Sequence, residues 1–311
     1  MNTKTTHKTK LSLALGPVLY YWPRETLLDF YRQVRHWPVD IVYLGEVVCA
    51  KRRSLGYDDW LSIAHSLKKS GKKVYISTLT LLEAGSELGL LRRICKNREF
   101  LIEANDLAAV YRLSREKVSF VTGPAINIYN AHTLKKLVSL GLQRWVLPLE
   151  LGATELASIR DAVPTVATEI FAWGRLPLAW SARCYTARAE NRSKDECKMA
   201  CDADPDGRLM YTLDDVPFLV LNGIQIQSAL TQNLAPHVAD IRRYGVDVLR
   251  LSPQSRDMDA VVACFDRIRC SRVPNTDDLA TLETLASIGT CEGYWRGKAG
   301  FVPPAVVEAR L

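Results

Sequence analysis

Short apolar runs rich in β-branched residues alternate with longer stretches of helical periodicity along most of the chain. Apolar runs of this length, bounded by polar or turn-forming residues, are typical of buried strands. We predict strands at residues 11–19, 40–44, 73–79, 100–103, 119–122, 144–148, 165–172, 218–221 and 246–251. Several of the predicted helices end at a glycine, and they lie at residues 58–69, 84–95, 131–140, 154–161, 235–244 and 258–269.

One strand and one helix repeat at intervals of roughly 20–30 residues, which matches the βα unit of a parallel sheet. The predicted fold class is therefore α/β, and 311 residues suit a (β/α)8, TIM-barrel-like domain with some irregular units. An open, doubly wound sheet is the alternative. The first strand lacks the G-x-G-x-x-G motif that often follows it in that fold.

Residues 182–215 interrupt this repeat, because they hold three cysteines and many charges but little apolar periodicity. Long irregular segments in compact domains are usually either functional or disordered. We therefore predict a single barrel-like domain over residues 11–311, with a cysteine-rich insertion at residues 182–215. Residues 1–10 form a polar N-terminal extension to which we assign no role.

The apolar run at residues 11–22 follows Lys4, Lys8 and Lys10 and imitates a signal peptide. Pro17 interrupts it, no A-x-A cleavage site follows, and it is shorter than the roughly 20 residues that span a bilayer. We interpret it as the first strand. No other segment has membrane-spanning length, so we expect a cytoplasmic protein without a transmembrane segment.

The net charge of +7 permits acidic partners, but the positive charge is scattered. Its clusters, at residues 51–53, 68–69, 72–73 and 92–93, are short and have no aromatic residues interleaved. Such clusters are typical of solvated surface. A nucleic-acid partner is therefore not expected from charge alone.

Cysteine patterns in a reducing cytoplasm indicate metal binding or catalysis more often than disulfides. Cys184 is followed by twelve residues and Cys197, then by three residues and Cys201, and the last pair could lie on successive helical turns. Cys49 closely follows the second predicted strand. Strand-to-helix loops share one face of a barrel, so we expect Cys49 to meet the insertion as a fourth ligand.

The remaining cysteines have different surroundings. Cys95, Cys264 and Cys270 have apolar neighbours in helical stretches, where a free cysteine acts as a small hydrophobic residue. Cys291 is a spare that could compete as a ligand. The spacing has neither the C-x2-C pairs of structural zinc sites nor a C-x3-C-x2-C triplet, so zinc and a 4Fe-4S cluster both stay open on these residues.

Several sequence strings together carry a resemblance to a known family. They are VYLGEVVCAKRRSLGYDDW (residues 42–60), GPAINIYNAHTL (123–134), LPLELG (147–152), the cysteine segment at 182–201 and CEGYWRGKAG (291–300). They resemble the U32 peptidase-like family and, within it, the UbiV branch of ubiquinone biosynthesis proteins. The cysteine arrangement is the most specific part of the likeness. It has one cysteine shortly after Y-L-G-E and then the spacing C-x12-C-x3-C.

The resemblance implies a 4Fe-4S cluster on Cys49, Cys184, Cys197 and Cys201. It also implies a heterodimer with a UbiU-like paralogue, a UbiT-like lipid-binding accessory protein, and hydroxylation of a polyprenylated aromatic substrate without O2. Prephenate is the oxygen donor that the resemblance suggests. The chain lacks H-E-x-x-H, G-x-S-x-G and P-loop motifs, so we do not expect a peptidase despite the family's label.

Residues beside the cysteines suggest further roles. Cations at Arg183, Arg188, Lys194 and Lys198 flank the ligands and are expected to raise the potential of a bound cluster. Four other residues lie at or after the ends of predicted strands, and they could contact a substrate or partner or could simply pack within their loops. They are Tyr43, Glu46, Asn127 and Tyr129. Two alternative functions stay open: an RNA-modifying, nucleobase-hydroxylating U32 protein, and a zinc-stabilised partner subunit without catalysis.

Overall fold

The structure is a computed structural model that describes residues 11–271 and 273–300. Eight of its strands run parallel, and the last of them pairs with both the first and the seventh, so the sheet closes on itself. The predicted (β/α)8 barrel is therefore confirmed. The eight strands are β1 (Ser12–Leu15), β2 (Ile41–Leu44), β3 (Lys73–Ser77), β4 (Leu101–Ala104), β5 (Phe120–Thr122), β6 (Leu142–Val146), β7 (Ala167–Trp180) and β11 (Val248–Leu251).

Helices pack around this barrel between the strands. They are α1 (Arg24–Val34), α2 (Tyr57–Lys69), α3 (Gly85–Cys95), α4 (Leu107–Arg115), α5 (Ala131–Ser139), α6 (Ala153–Ala162), α8 (Val238–Arg243), α9 (Met258–Cys270) and α10 (Thr276–Leu285). The sequence prediction missed α1, α4 and α10. Side-chain caps fix some of the starts: the Asp106 carboxylate accepts the Ala108 amide at 2.6 Å before α4.

Period-two alternation along the strands separates two apolar layers. On β2, Ile41 and Tyr43 belong to a small cluster in the barrel interior, whereas Val42 and Leu44 belong to the large core under the helices. Both faces of a parallel strand in a barrel are covered, which explains why these strands are continuous apolar runs in the sequence. Within the described residues, no helix has the length and apolar character needed to cross a bilayer.

An insertion after the barrel part of β7 carries three of the predicted cysteine ligands. β7 continues to Trp180, and β8 (Arg208–Tyr211), β9 (Pro217–Asn222) and β10 (Gln225–Asn233) extend the sheet in antiparallel order. The short helix α7 (Tyr185–Ala189) and a 3-10 turn (Ala200–Ala203) lie between β7 and β8. The two-residue strand β12 (Thr290–Cys291) pairs with β10.

This arrangement changes two of the predicted elements. Residues 218–221 form part of β9 in the antiparallel insertion and do not belong to a βα unit of the barrel. The predicted helix at residues 235–244 begins as a 3-10 turn, Ala235–His237, and continues as α8. An isolated apolar run does not show whether its partner strand is parallel or antiparallel, so the strand was predictable but its place was not.

Candidate metal centre

Cys49 lies in the loop that follows β2, and a buried carboxylate shapes that loop. The Oε1 atom of Glu46 accepts the backbone amides of Val48 at 2.8 Å and of Cys49 at 3.0 Å. Burial raises the pKa of Glu46, while nearby Arg52 and the two amides oppose the rise. Glu46 therefore positions the backbone that presents Cys49.

Cys184 and Cys201 are presented by short elements of the insertion. The Cys184 sulfur caps α7 and accepts the Ala187 amide at 3.4 Å. Cys201 lies in the 3-10 turn. Between Cys197 and Cys201, Lys198 and Met199 adopt left-handed backbone with φ of 47° and 54°. The prediction that this pair lies on successive turns of one helix was therefore wrong, because the left-handed pair breaks a right-handed helix at that point.

The four predicted ligands meet at one cavity. Cys49, Cys184, Cys197 and Cys201 all line one small space between the β2 loop and the insertion. Lys51 joins the two segments, because its ammonium group donates to the Lys194 carbonyl at 3.0 Å and the Asp195 carboxylate at 2.8 Å.

Arg52 completes the wall of this cavity and is only 4% exposed. Its Nη1 donates to the Leu19 carbonyl at 2.7 Å, and its Nη2 donates to Oδ1 of Asn222 at 2.7 Å. The Nε atom is buried and has no hydrogen-bond partner among the described residues. At Gly223, where φ is +64°, an added Cβ would come within 2.8 Å of the same guanidinium group.

The surroundings of Cys49 and Cys201 favour the neutral thiol over the thiolate. Burial raises the pKa of Cys49, and burial also raises the pKa of Cys201 against the opposing effect of Arg52. A metal centre must displace those protons, because thiolates are the coordinating form.

The donor set consists of soft sulfur ligands, which suit zinc and iron–sulfur centres alike. Over residues 11–271 and 273–300, no three His, Cys, Asp or Glu side chains come close enough together to hold a single metal ion. The four cysteines instead surround a space. They are the residues in this region that could hold a metal centre of more than one atom.

The other cysteines have varied positions. Cys95 and Cys264 are buried in the large core, as expected. Cys270 is exposed, so its prediction as a core residue was wrong; it is the last residue of α9 and points away from the core. Cys291 is buried on β12 opposite Gln232, where burial raises its pKa to about 11.

One of the four cations that flank the cysteines in the sequence lines the cavity. Lys194 lies in its wall and pairs with Glu83, whereas Arg183, Arg188 and Lys198 are exposed and are not part of the lining. Arg52, which the sequence prediction grouped with a solvated surface cluster, is the buried cation at the cavity. Its position three residues after Cys49 is the signal that could have found it.

The two other predicted contact residues lie on the surface. Asn127 is exposed, and the hydroxyl of half-exposed Tyr129 donates to the Glu150 carboxylate at 2.7 Å. Partial burial and Glu150 raise the pKa of Tyr129 to about 12. Neither residue lines the cysteine cavity.

A buried ionic network fills the barrel interior, and Tyr43 is the member of it that was singled out from the sequence. Glu169 accepts from the Tyr43 hydroxyl at 2.6 Å, from Arg144 Nε at 2.8 Å and from Arg250 Nε at 2.6 Å. Arg250 also donates to Glu103 at 2.6 Å. Burial alone would raise the pKa of Glu169, but the two arginines lower it below its ordinary value.

The network forms the floor of a second cavity at the C-terminal mouth of the barrel. This cavity of about 30 Å³ is lined by Glu103, Arg250, Gln225 and Trp180, among others, and its lining is mainly apolar. Gln225 Nε2 and Trp180 Nε1 are buried donors without a hydrogen-bond partner among the described residues. Unpartnered donors beside a cavity of this size suit a small hydrogen-bond acceptor such as water.

Comparison with known proteins places this barrel in a family. A tRNA hydroxylation protein P from Haemophilus influenzae is 29% identical over 174 residues, which are 52% of this chain and 36% of that protein. One from Helicobacter pylori strain 26695 is 26% identical over 229 residues, which are 66% of this chain and 53% of that protein. The chain thus spans about half or less of the curated relatives it matches.

A solved structure, that of the U32 peptidase Mk0906, matches with a TM-score of 0.46 and 13% identity, over 79% of this chain and 94% of that one. The model of peptidase family U32 matches residues 30–298, which include all four cysteines of the cavity. This match covers most of the chain. The chain therefore belongs to peptidase family U32.

Proposed function

We propose that the chain binds a 4Fe-4S cluster through Cys49, Cys184, Cys197 and Cys201. We further propose that it is the iron–sulfur subunit of an O2-independent hydroxylase of the UbiV type, which acts on the ring of a polyprenylated ubiquinone precursor. In this proposal it pairs with a UbiU-like paralogue, and a UbiT-like lipid-binding protein assists in the cytoplasm. The observation that carries the proposal is the convergence of four thiols from two distant chain segments on one cavity.

The surroundings of the thiols support a cluster over a single zinc ion. A cubane cluster takes one thiolate on each iron, so its ligands surround a space rather than a point. The cavity offers such a space, and the unpartnered Nε of Arg52 is a donor at its wall. Hydrogen bonds to cluster sulfurs are a common way in which proteins tune such centres.

A bound cluster would supply the one-electron chemistry that side chains cannot supply and that ring hydroxylation without O2 requires. The chain's own residues have simpler tasks. Glu46 fixes the loop that presents Cys49, and Arg52 places a buried positive charge beside four thiolates. Lys51 holds the β2 loop against the insertion.

The first test is anaerobic purification with measurement of the visible spectrum, iron, sulfide and zinc. We expect a brown protein with about four irons and four sulfides per chain, following the four-cysteine ligand count. The variant with Cys197→Ala and Cys201→Ala should lose both, whereas Cys270→Ala, at an exposed cysteine, should keep them. A colourless protein that contains zinc without sulfide would instead identify a zinc-stabilised subunit.

The second test concerns the substrate. Cells that lack the chain should lose ubiquinone during anaerobic growth and regain it with the wild-type chain but not with the double cysteine variant. The relatives named tRNA hydroxylation protein P support a second candidate, in which the chain acts on RNA. Mass spectrometry of tRNA nucleosides from the same cells separates the two: loss of a hydroxylated nucleoside with normal ubiquinone would favour RNA.

A further inference from the structure

A separate cavity lies between α2 and α3, over the ends of β2 and β3. Its volume is about 430 Å³. That lies within the roughly 300–1,000 Å³ of pockets that bind small molecules. The space is therefore large enough for a ligand with a short hydrocarbon chain.

The walls of this cavity are mainly apolar. Leu55 and Trp60 line it on the α2 side, Leu79 and Leu82 come from the loop after β3, and Leu90 comes from α3. At the α2–α3 gap, two contacts bridge the helices: Arg93 pairs with Asp58 at 2.5 Å, and the same guanidinium lies 4.8 Å from the centre of the Tyr57 ring. The bridge closes part of the gap from outside, while the apolar side chains remain available inside.

One end of the cavity is polar and adjoins the candidate metal centre. Lys51 and Arg52 line both this cavity and the cysteine cavity, so the two spaces adjoin at these residues. Glu46 and Arg53 lie at the same end. A ligand that matches this distribution has a polar head toward the cysteines and a hydrocarbon chain toward the α2–α3 gap.

We propose that this cavity binds the isoprenoid chain of the aromatic substrate and thereby brings the ring toward the cysteine centre. The inference rests on the proposed function for the identity of the ligand. The apolar walls and the shared polar end are observed features of the cavity and do not depend on the proposed function. A saturated fatty acyl chain has similar polarity, and the test separates the two kinds of chain.

The experiment measures equilibrium binding of geraniol, farnesol and 1-pentadecanol to the anaerobically purified chain by tryptophan fluorescence, since Trp60 lies in the wall. Farnesol has one isoprene unit more than geraniol, so it should bind roughly tenfold or more tightly if the added carbons are buried. 1-Pentadecanol has the same hydroxyl head group and carbon count as farnesol, but its saturated chain loses more conformational freedom on binding and should bind more weakly. Equal affinity for the two isoprenoids, or tighter binding of 1-pentadecanol, would overturn the proposal.

Matched variants locate the binding. Leu82→Gln with Leu90→Gln alters the cavity wall at half-exposed or exposed positions and should weaken farnesol binding at least tenfold. Leu88→Gln is the control: it lies on the same helix, is exposed to a similar degree as Leu90, and does not line the cavity. Iron content should stay unchanged in all variants. Equal loss of binding in the control would refute the assigned site.

The outcomes separate this inference from the proposed function. If ubiquinone formation depends on the chain but farnesol does not bind, the cavity assignment is wrong and the function stands. If farnesol binds and the wall variants weaken it, the cavity assignment stands even when anaerobic ubiquinone levels do not depend on the chain.

Discussion

Replacement of Arg52 by methionine tests the role assigned to the buried cation. Methionine keeps an unbranched apolar side chain while removing the charge and every donor. In the wild type, Arg52 donates to the Leu19 carbonyl and to Oδ1 of Asn222. The Leu19 carbonyl keeps a second donor, because Asn222 Nδ2 reaches it at 2.9 Å. The substitution therefore leaves one buried acceptor, Asn222 Oδ1, without its donor.

The expected loss of stability follows from this single unpaired acceptor. A buried acceptor that loses its partner costs about 1–3 kcal/mol of folding free energy. We expect Arg52→Met to lower the free energy of unfolding of the cluster-free protein by that amount. With the proposed cluster bound, a second effect would be added, because four thiolates would lose the buried positive charge beside them. Iron content should fall, and the reduction potential of the remaining centre should shift to a more negative value.

Urea unfolding of the cluster-free chain measures the first effect, since the unfolding free energy falls linearly with denaturant. Iron analysis and a redox titration of the anaerobic protein measure the second. Arg53→Met is the matched control, because Arg53 is the adjacent residue and is exposed. If Arg53→Met and Arg52→Met change stability and iron content equally, or if neither changes them, the role assigned to Arg52 is refuted.

Three further predictions concern single positions. Cys201→Ser should abolish iron binding and Cys270→Ser should not, as metal analysis will show. Glu169→Gln should cost about 3–5 kcal/mol in urea unfolding at pH 7, because two buried arginines lose a charged partner. The folded-state pKa of Glu169 is lowered. The difference in unfolding free energy between wild type and variant should therefore be complete above about pH 5 and shrink as the pH falls through that pKa. A difference that does not change with pH would contradict this prediction. Gly223→Ala should displace Arg52 and reduce iron content in the same direction as Arg52→Met.

The barrel was predictable because its signal is local and repeated. Continuous apolar strands such as β2 and β3 are read directly from residues 40–44 and 73–79. The missed helix α4 has nine residues, so its apolar periodicity covers fewer than three turns. Its start depends on the Asp106 cap, a single polar residue that is equally common in turns.

The convergence of Cys49 with the insertion was predicted from topology, because strand-to-helix loops share one face of a barrel. The ionic network was not predicted, since Glu103, Glu169, Arg144 and Arg250 are isolated charges in apolar strands. Their pairing depends on which strands lie across the barrel interior, and no local pattern along the chain indicates that arrangement. Arg52 was misassigned for a related reason: its neighbours in the sequence are charged, and only the insertion buries it.

The insertion links the candidate metal centre to the mouth of the barrel. It leaves after β7, and β11 and β1 separate β7 from β2 in the closed sheet. The turn between β9 and β10 crosses that distance, because Asn222 contacts the loop after β1 through Leu19 and the loop after β2 through Arg52. Gln225, directly after this turn, lines the mouth cavity. The proposed metal centre would order the insertion through its cysteines, and it would thereby also fix this wall of the mouth cavity.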